Sequence, residues 1–366
     1  MHRMAEASNE EVKTSAFIRH ELERLAPTKI LTFPKGNHLL AEFDFGSGGK
    51  TVLLRADMDA VRVNETLDLP YKSENEGVSH KCGHDGHSTI LLRVAEMLHE
   101  KPLPSGRVLL LFQGAEETGE GARQILESGI LQSYPIDCAY ALHNIPAEPV
   151  GTIICRPGSF TCSVISCDIV LTGKTAHAAE PWNAVSPFPA AQRLTDFVFS
   201  LNQRDVLRDD FCVATLIEFR VGSQAYGVAA GDGVIRFTIR TREDAHLQQI
   251  ISEIESKANT EAKADNLQCD IRWIEYFAAS NNAEKAVKAI RESADSLSFT
   301  YQEKPVPFFW GEDFGLFTQH YPGALFGLGS GLSQPPLHHP DFDFPDEIVK
   351  TGARIFYQLF STGTAE

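Results

Sequence analysis

The sequence has no apolar run near the roughly 20 residues that a membrane-spanning helix requires, so no membrane partner is expected. Its opening, MHRMAEASNEEVK, is acidic and lacks the apolar core of a secretory signal. That argues against secretion and for a cytoplasmic location. Basic excess is also missing. The formal net charge is −16 at pH 7, whereas a nucleic-acid binder needs a basic face to meet phosphates. No nucleic-acid partner is therefore expected. There is no G-x-S-x-G elbow, which removes the main sign of a serine hydrolase, and no internal repeat or low-complexity stretch. The seven cysteines (Cys82, Cys138, Cys155, Cys162, Cys167, Cys212 and Cys269) are odd in number, and several sit in apolar, strand-like runs. Reduced thiols suit that pattern better than a disulfide framework.

What is present is ordinary globular chemistry, 43% hydrophobic and 22% charged, in 366 residues, long enough for two domains. Residues 8–25 read as an amphipathic helix and 37–45 and 49–57 as strands. A helix is expected over 85–99, a buried strand in GRVLLLFQG, a helix over 120–128 ending at Gly129, and a strand in DCAYALHN. Buried strands alternating with helices imply an α/β sheet covered on both faces. Near residue 160 the pattern changes to FTCSVISCDIVLTG, which alternates as a half-exposed strand does. A helix (187–202), strands (211–221 and 233–241), a helix (243–264) and a strand (267–276) follow. That β-α-β-β-α-β order is ferredoxin-like. We read residues 162–276 as a domain inserted between 1–161 and 277–366, the latter completing the first domain with a helix (283–297), a strand (323–329) and a helix (345–361).

The densest chemical cluster is SHKCGHDGHST, with Cys82, His84, Asp85 and His87 around Gly83 and Gly86. Thiolate and imidazole bind zinc-like divalent ions, and the glycines permit a sharp turn and close backbone approach. A plain helix start with Asp85 as N-cap is the bland reading. Glu116-Glu117 follow a buried strand directly. Adjacent carboxylates in an extended segment point apart, so one can bind a metal while the other faces a water; a solvated acidic loop is the commoner meaning of such a pair. His143 ends another strand, and His338 or His339 in LHHPDFDF offers a further imidazole. Asp57 and Asp59 lie at a strand end, where one of them can orient a ligand imidazole. Each signal alone is weak. Together, four strand ends (near 57, 116, 143 and after 329) carry ligand-type residues, and ligands of open α/β sheets gather at carboxyl ends. In the inserted domain, His177 lies in a loop between the first strand and first helix, as either a substrate contact or a surface residue.

At this point the chain resembles the amidohydrolase branch of the aminoacylase and zinc-carboxypeptidase family of dinuclear metallohydrolases. RADMDA, HKCGHDGHST, FQGAEETGEGA, ALHN, GKTAHAAEP, GEDFG, PGALFGLG and LHHPDFDF fall in the family's order over residues 50–350. The resemblance implies a mixed-sheet α/β catalytic domain with an inserted ferredoxin-like lid and dimerisation domain. It implies two divalent ions (zinc, manganese, nickel or cobalt) held by Cys82, His84, Glu117, His143 and His338, the last chosen for its L-H-x-P position. It further implies Glu116 as general base, Asp59 as the residue orienting the metal site, His177 as a lid histidine reaching the substrate across a homodimer, and Arg240 as the partner of a substrate carboxylate. The chain departs from the family pattern at Trp182-Asn183, where a second His and a Gly are usual, at Val61-Arg62-Val63, where Leu-Pro-Ile is usual, and in its opening, which lacks the usual His and Pro.

The activity implied is hydrolysis of small N-acyl-L-amino acids, Glu116 taking a proton from the attacking water and returning it to the leaving amine. A metallo-carboxypeptidase or dipeptidase is the same chemistry on a peptide. A non-catalytic binding protein on this scaffold should lack Glu116.

Overall fold

The structure is a computed structural model that describes residues 1–361; residues 362–366 of the expected last segment lie outside the described residues. The chain divides into two compact units. Among the described residues the first comprises Met1–Phe160, Ser280–Pro305 and 312–361; the second comprises Thr161–Ala279 and Val306–Gly311.

The first unit is built on an eight-stranded mixed sheet. Its strands are β1 (Lys29–Thr32), β2 (Leu39–Asp44), β3 (Thr51–Asp57), β4 (Arg107–Gln113), β5 (Cys138–Pro146), β6 (Ile153–Cys155), β7 (Tyr301–Glu303) and β8 (Gly323–Gly331), in the order β1-β2-β4-β3-β5-β8-β6-β7. The central four, β4, β3, β5 and β8, are mutually parallel. Their carboxyl ends therefore lie along one edge of the sheet. Every residue of β3 is buried, as are six of seven in β4, which is why these strands read as continuous apolar runs rather than alternating ones. One face packs through Leu54, Leu110, Phe112, Leu142 and Phe326. Against it lie α1 (Val12–Arg24), α2 (His84–Glu100), α4 (Glu284–Ser296) and α6 (Val349–Ser361), with α3 (Gly121–Glu127) and α5 (Gly315–His320) completing the set. Leu53, Leu109, Leu111 and Leu325, on the alternate positions, are also fully buried. Each such leucine stabilises the fold by roughly 1.5–3 kcal/mol. The short strands β1, β6 and β7 and helix α5 were not anticipated from the sequence; three to six residues carry too little periodicity to read.

The second unit holds a four-stranded antiparallel sheet in the order Cys212–Val221, Asp232–Thr241, Ser163–Thr172, Gln268–Phe277. Two helices, Phe188–Ser200 and Asp244–Ala264, cover one face. The connectivity is the ferredoxin-like order read from the sequence, and Ser163–Thr172 shows the expected alternation of burial. One boundary differs. Residues 306–311, expected in the catalytic part, belong to this unit: Phe308 bridges Thr161, Phe309 stacks on Phe211, and Gly311 lies so close to Phe277 that a Cβ would be 2.9 Å from it. No periodic signal marks so short an excursion of the chain.

Among the described residues, no helix is long and apolar enough to cross a membrane.

Candidate metal centre

The turn before α2 brings the first donors in. Gly83 has φ +93, a left-handed conformation that lets the chain reverse between Cys82 and His84, the first residue of α2. A Cβ at Gly83 would lie 2.5 Å from Asn144 Oδ1 and 3.0 Å from the Phe344 ring. Gly83→Ala should therefore cost at least the ~1–2 kcal/mol of a left-handed non-glycine residue, seen as a lower denaturation midpoint; a parent-like midpoint would refute this role for Gly83.

His84 Nδ1 donates to Asp59 Oδ1 at 3.3 Å, which fixes the tautomer and turns Nε2 inward. Asp59 Oδ2 also accepts the Glu117 N–H at 3.0 Å, so one carboxylate orders an imidazole and a loop. His143, at the end of β5, donates from Nδ1 to the Asn144 carbonyl at 2.9 Å, and its Nε2 faces Cys82 Sγ at 3.5 Å.

Glu116 and Glu117 do not lie in an extended segment, as the sequence reading assumed. Ala115 has φ +57 and Gly121 and Glu120 donate back to its carbonyl, so the pair sits in a tight turn beyond β4. Both carboxylates consequently converge on the same imidazole: Glu116 Oε2 is 3.9 Å and Glu117 Oε1 3.7 Å from His84 Nε2. His338 Nε2 stands 3.3 Å from Glu117 Oε1 and its own N–H donates to the Lys81 carbonyl at 2.7 Å. Of the two adjacent histidines it is His338 that reaches the cluster. His339 instead accepts the Asp341 N–H at 3.2 Å. His338 is half exposed while the other donors are largely buried, so it marks the rim.

Five overlapping sets have donor atoms within 4.8 Å of one another: Cys82, His84 and His143; Cys82, Glu117 and His338; His84, Glu116 and Glu117; Asp57, His84 and His87; and Glu116, Glu312 and Asp313. His84 Nε2 and Glu117 Oε1 are buried yet have no hydrogen-bond partner. The charge balance is strongly negative. Burial works against a charged His84, but Asp57, Asp59 and Glu117 outweigh it and raise its pKa to about 10. Burial first, then Glu312 and Glu117, push Glu116 well above the usual carboxylate range. Burial first, then Glu117 and Glu116, push the Cys82 thiol up.

Not every candidate from the CGHDGH turn joins the cluster. His87 donates from Nδ1 to Asp57 at 2.6 Å and accepts the Asn144 N–H at Nε2, 3.0 Å away, so both ring nitrogens are engaged. Asp85 is taken by His2, 2.7 Å away, and by the Gly86 N–H. Behind the cluster lies a network that the sequence reading missed. Arg55 is fully buried and meets Asp57 at 2.7 Å, Asp313 at 2.7 Å, Glu312 at 3.0 Å and Gln113 Oε1 at 3.0 Å. A charged residue in the middle of the run TVLLRAD was the available signal, since a buried arginine demands carboxylate partners.

His177 and Arg240 lie in the second unit. His177 is exposed and, rather than sitting in a loop, pairs with Val228 in a two-residue ribbon; its Nδ1 accepts the Ala179 N–H at 3.1 Å. Arg240, on strand Asp232–Thr241, donates to the Phe309 carbonyl at 2.9 Å. Burial lowers its pKa.

The model of peptidase family M20/M25/M40 matches residues 53–362. The chain belongs to that family. It is accordingly a metal-dependent amidohydrolase by class. An N-acetyl-L-cysteine deacetylase of Bacillus subtilis (strain 168) is 30% identical over 98% of this chain and 85% of its own length. An N-acetylcysteine deacetylase of the same strain is 29% identical over 98% and 93%. Among solved structures, a dinuclear metal-binding peptidase of the M20 family from Bacillus subtilis superposes with a TM-score of 0.82 at 27% identity, covering 99% of this chain and 94% of that one. A putative aminohydrolase from methicillin-resistant Staphylococcus aureus shares the fold, with a TM-score of 0.88 at 23% identity over 99% and 93% of the two chains.

Proposed function

We propose that this protein hydrolyses the amide bond of small N-acyl-L-amino acids, releasing a carboxylic acid and an amino acid, with two divalent cations held by Cys82, His84, Glu117, His143 and His338. One observation carries the reading: donors from three strand ends and the α2 turn converge, with two buried atoms, His84 Nε2 and Glu117 Oε1, left without a hydrogen-bond partner among the described residues. Buried polar atoms in a native protein are satisfied, and cations are what this thiol, imidazole and carboxylate set would accept. Zinc, manganese, nickel and cobalt all suit it. The deacetylase relatives and the dinuclear structure support the same reading.

When bound, the ions would make a water nucleophilic near neutral pH and polarise the scissile carbonyl. Glu116 stands beside the ligand set without being needed in it. Its carboxylate, 3.9 Å from His84 Nε2, is placed to take the proton of the attacking water and hand it to the leaving amine. Asp59 holds His84 in the tautomer that presents Nε2. His177 contributes to oxyanion stabilisation, and Arg240, which forms no ion pair among the described residues, receives the substrate carboxylate. We assign the protein to the cytoplasm, consistent with the buried thiols of Cys155, Cys167 and Cys212. We also assign it a homodimeric state through the second unit. There the edge strand Cys212–Val221 leaves Leu216, Ile217 and Phe219 exposed.

Chelation followed by metal add-back tests the metal requirement: activity should vanish and return, and full activity in protein shown to be metal-free would overturn it. The substrate is tested with N-acetylmethionine, its methyl ester and its amide, alongside Ala-Ala. A site whose guanidinium pairs with the substrate carboxylate should prefer the free acid by several orders of magnitude. Equal turnover of the blocked compounds would refute carboxylate recognition. Faster turnover of the dipeptide would make the protein a dipeptidase.

A further inference from the structure

The segment ahead of α1 touches the catalytic cluster from behind. The Ser8 hydroxyl donates to Asp59 Oδ2 at 2.7 Å, the same oxygen that accepts the Glu117 N–H. Three residues later stands Glu11, at the N-cap position of α1 and fully buried. A residue there ordinarily turns its side chain onto an N–H of its own helix. Glu11 makes no such cap. That role falls to Glu6, which accepts the Thr14 N–H at 2.9 Å and the Lys13 N–H at 3.2 Å.

The Glu11 carboxylate is directed elsewhere. Its Oε1 accepts the N–H of Ala115 at 2.8 Å, from 104 residues further along the chain, and the N–H of Asn9 at 2.8 Å; Oε2 accepts from the Asn37 amide at 3.0 Å. Ala115 is the residue with φ +57 that bends the chain into the Glu116–Glu117 turn, a conformation disfavoured for any residue with a Cβ. The approach is possible because residue 114 is glycine: a Cβ there would lie 2.7 Å from Glu11 Oε1. The Gly114 N–H is held as well, by His38 Nδ1 at 3.0 Å. The two amides immediately before Glu116 are thus both gripped by side chains from the first forty residues.

We propose that Glu11 is a positioning residue for catalysis, holding the Ala115 amide so that the turn keeps Glu116 and Glu117 aimed at His84. The inference rests on the reading of Glu116 as the general base. Docking of α1 has its own apolar anchors, since Ile18 and Leu22 lie in the core with Phe17 and Leu25 packed against it. The carboxylate instead offsets an unfavourable backbone conformation at the point where the catalytic side chains leave the main chain.

The test compares full-length Glu11→Ala, Glu11→Gln, Glu11→Asp and Glu116→Gln at saturating metal, with kcat, KM and bound metal measured for each on N-acetylmethionine. A misplaced reacting group can cost about 10²-fold. Glu11→Ala and Glu11→Asp, which remove or withdraw the acceptor, should lower kcat by about 10–100-fold and move KM by less than about threefold. Glu11→Gln keeps an oxygen for the Ala115 amide and should recover most of the parent kcat. Should Glu11→Ala fail to fold, Glu11→Asp carries the test, since it keeps the charge and loses only reach. Parent kcat in Glu11→Asp, or a Glu11→Gln enzyme as slow as Glu11→Asp, overturns the proposal. If Glu116→Gln keeps the parent kcat, the reading of the base fails instead; if it is inactive while the Glu11 variants run at the parent rate, the positioning role alone is lost.

Discussion

Glu116→Gln should keep its bound metal and lose turnover by about 10²–10⁴-fold, the contribution of a positioned general base. The neighbouring change should do the reverse. Glu117→Gln should release metal on dialysis, and part of its activity should return with excess metal. The distinction follows from geometry. Glu117 Oε1 lies within reach of both His84 Nε2 and His338 Nε2 and has no hydrogen bond. Glu116 also faces Glu312 and Asp313, and burial first, then Glu312, Glu117 and Asp313, raise its pKa above the ordinary range. A carboxyl in that setting is suited to carrying a proton, whereas one surrounded by imidazoles is suited to binding a cation. Metal content by elemental analysis and kcat on one acyl amino acid decide the matter. Equal metal loss in both variants would mean that base and ligand have been assigned wrongly.

Arg55→Met should destabilise the first unit by about 3–5 kcal/mol, the cost of breaking a buried charge cluster from one side. Burial opposes the Arg55 charge, yet Glu312, Asp57 and Asp313 hold its proton more firmly than usual. Methionine fills much the same volume but leaves those three carboxylates without their cation. Arg55→Lys should recover only part of the loss, because a point charge cannot serve acceptors on three sides of a planar fork. Denaturant titration of the metal-replete proteins measures this. A methionine variant as stable as the parent would show that the carboxylates find other partners or are neutral. Protonation is open to Asp313, whose pKa burial raises to about 7 against the pull of Arg55.

The donors were legible in the sequence because each follows a buried strand or lies in a glycine-rich turn, where a polar residue interrupts an apolar run. Asp59 after β3, Glu116 and Glu117 after β4, and His143 at the end of β5 all have that signature. Geometry inside the turn was not legible. Nothing in GAEETG discloses that Ala115 is left-handed, so the two carboxylates were expected to diverge when they converge. Supporting residues were hidden for a different reason. Glu11 acts on an amide 104 residues away and Arg55 on an acid 258 residues away, and local periodicity carries no trace of such partners. His87 shows the opposite failure: it has the residue type and spacing of a ligand, but Asp57 and Asn144 already occupy its nitrogens. The inserted unit was legible as an order of elements, while the return of residues 306–311 to it depends on tertiary packing alone.

Strand β8 lies between β5 and β6 in the sheet, pairing with one in parallel and the other antiparallel, although it is the last of the eight strands in chain order. Until synthesis passes Gly331, β5 and β6 each present an open edge, the kind of surface that recruits other chains. His338 is later still. During translation the half-made sheet can hold neither its complete hydrogen-bond ladder nor its complete donor set, so a nascent or truncated chain would offer metal only a partial site. The Thr161–Ala279 segment, apart from its short later addition, already contains all four strands of its own sheet by then. For this topology, acquisition of the ions belongs after β8 has closed the sheet and His338 has followed it into place.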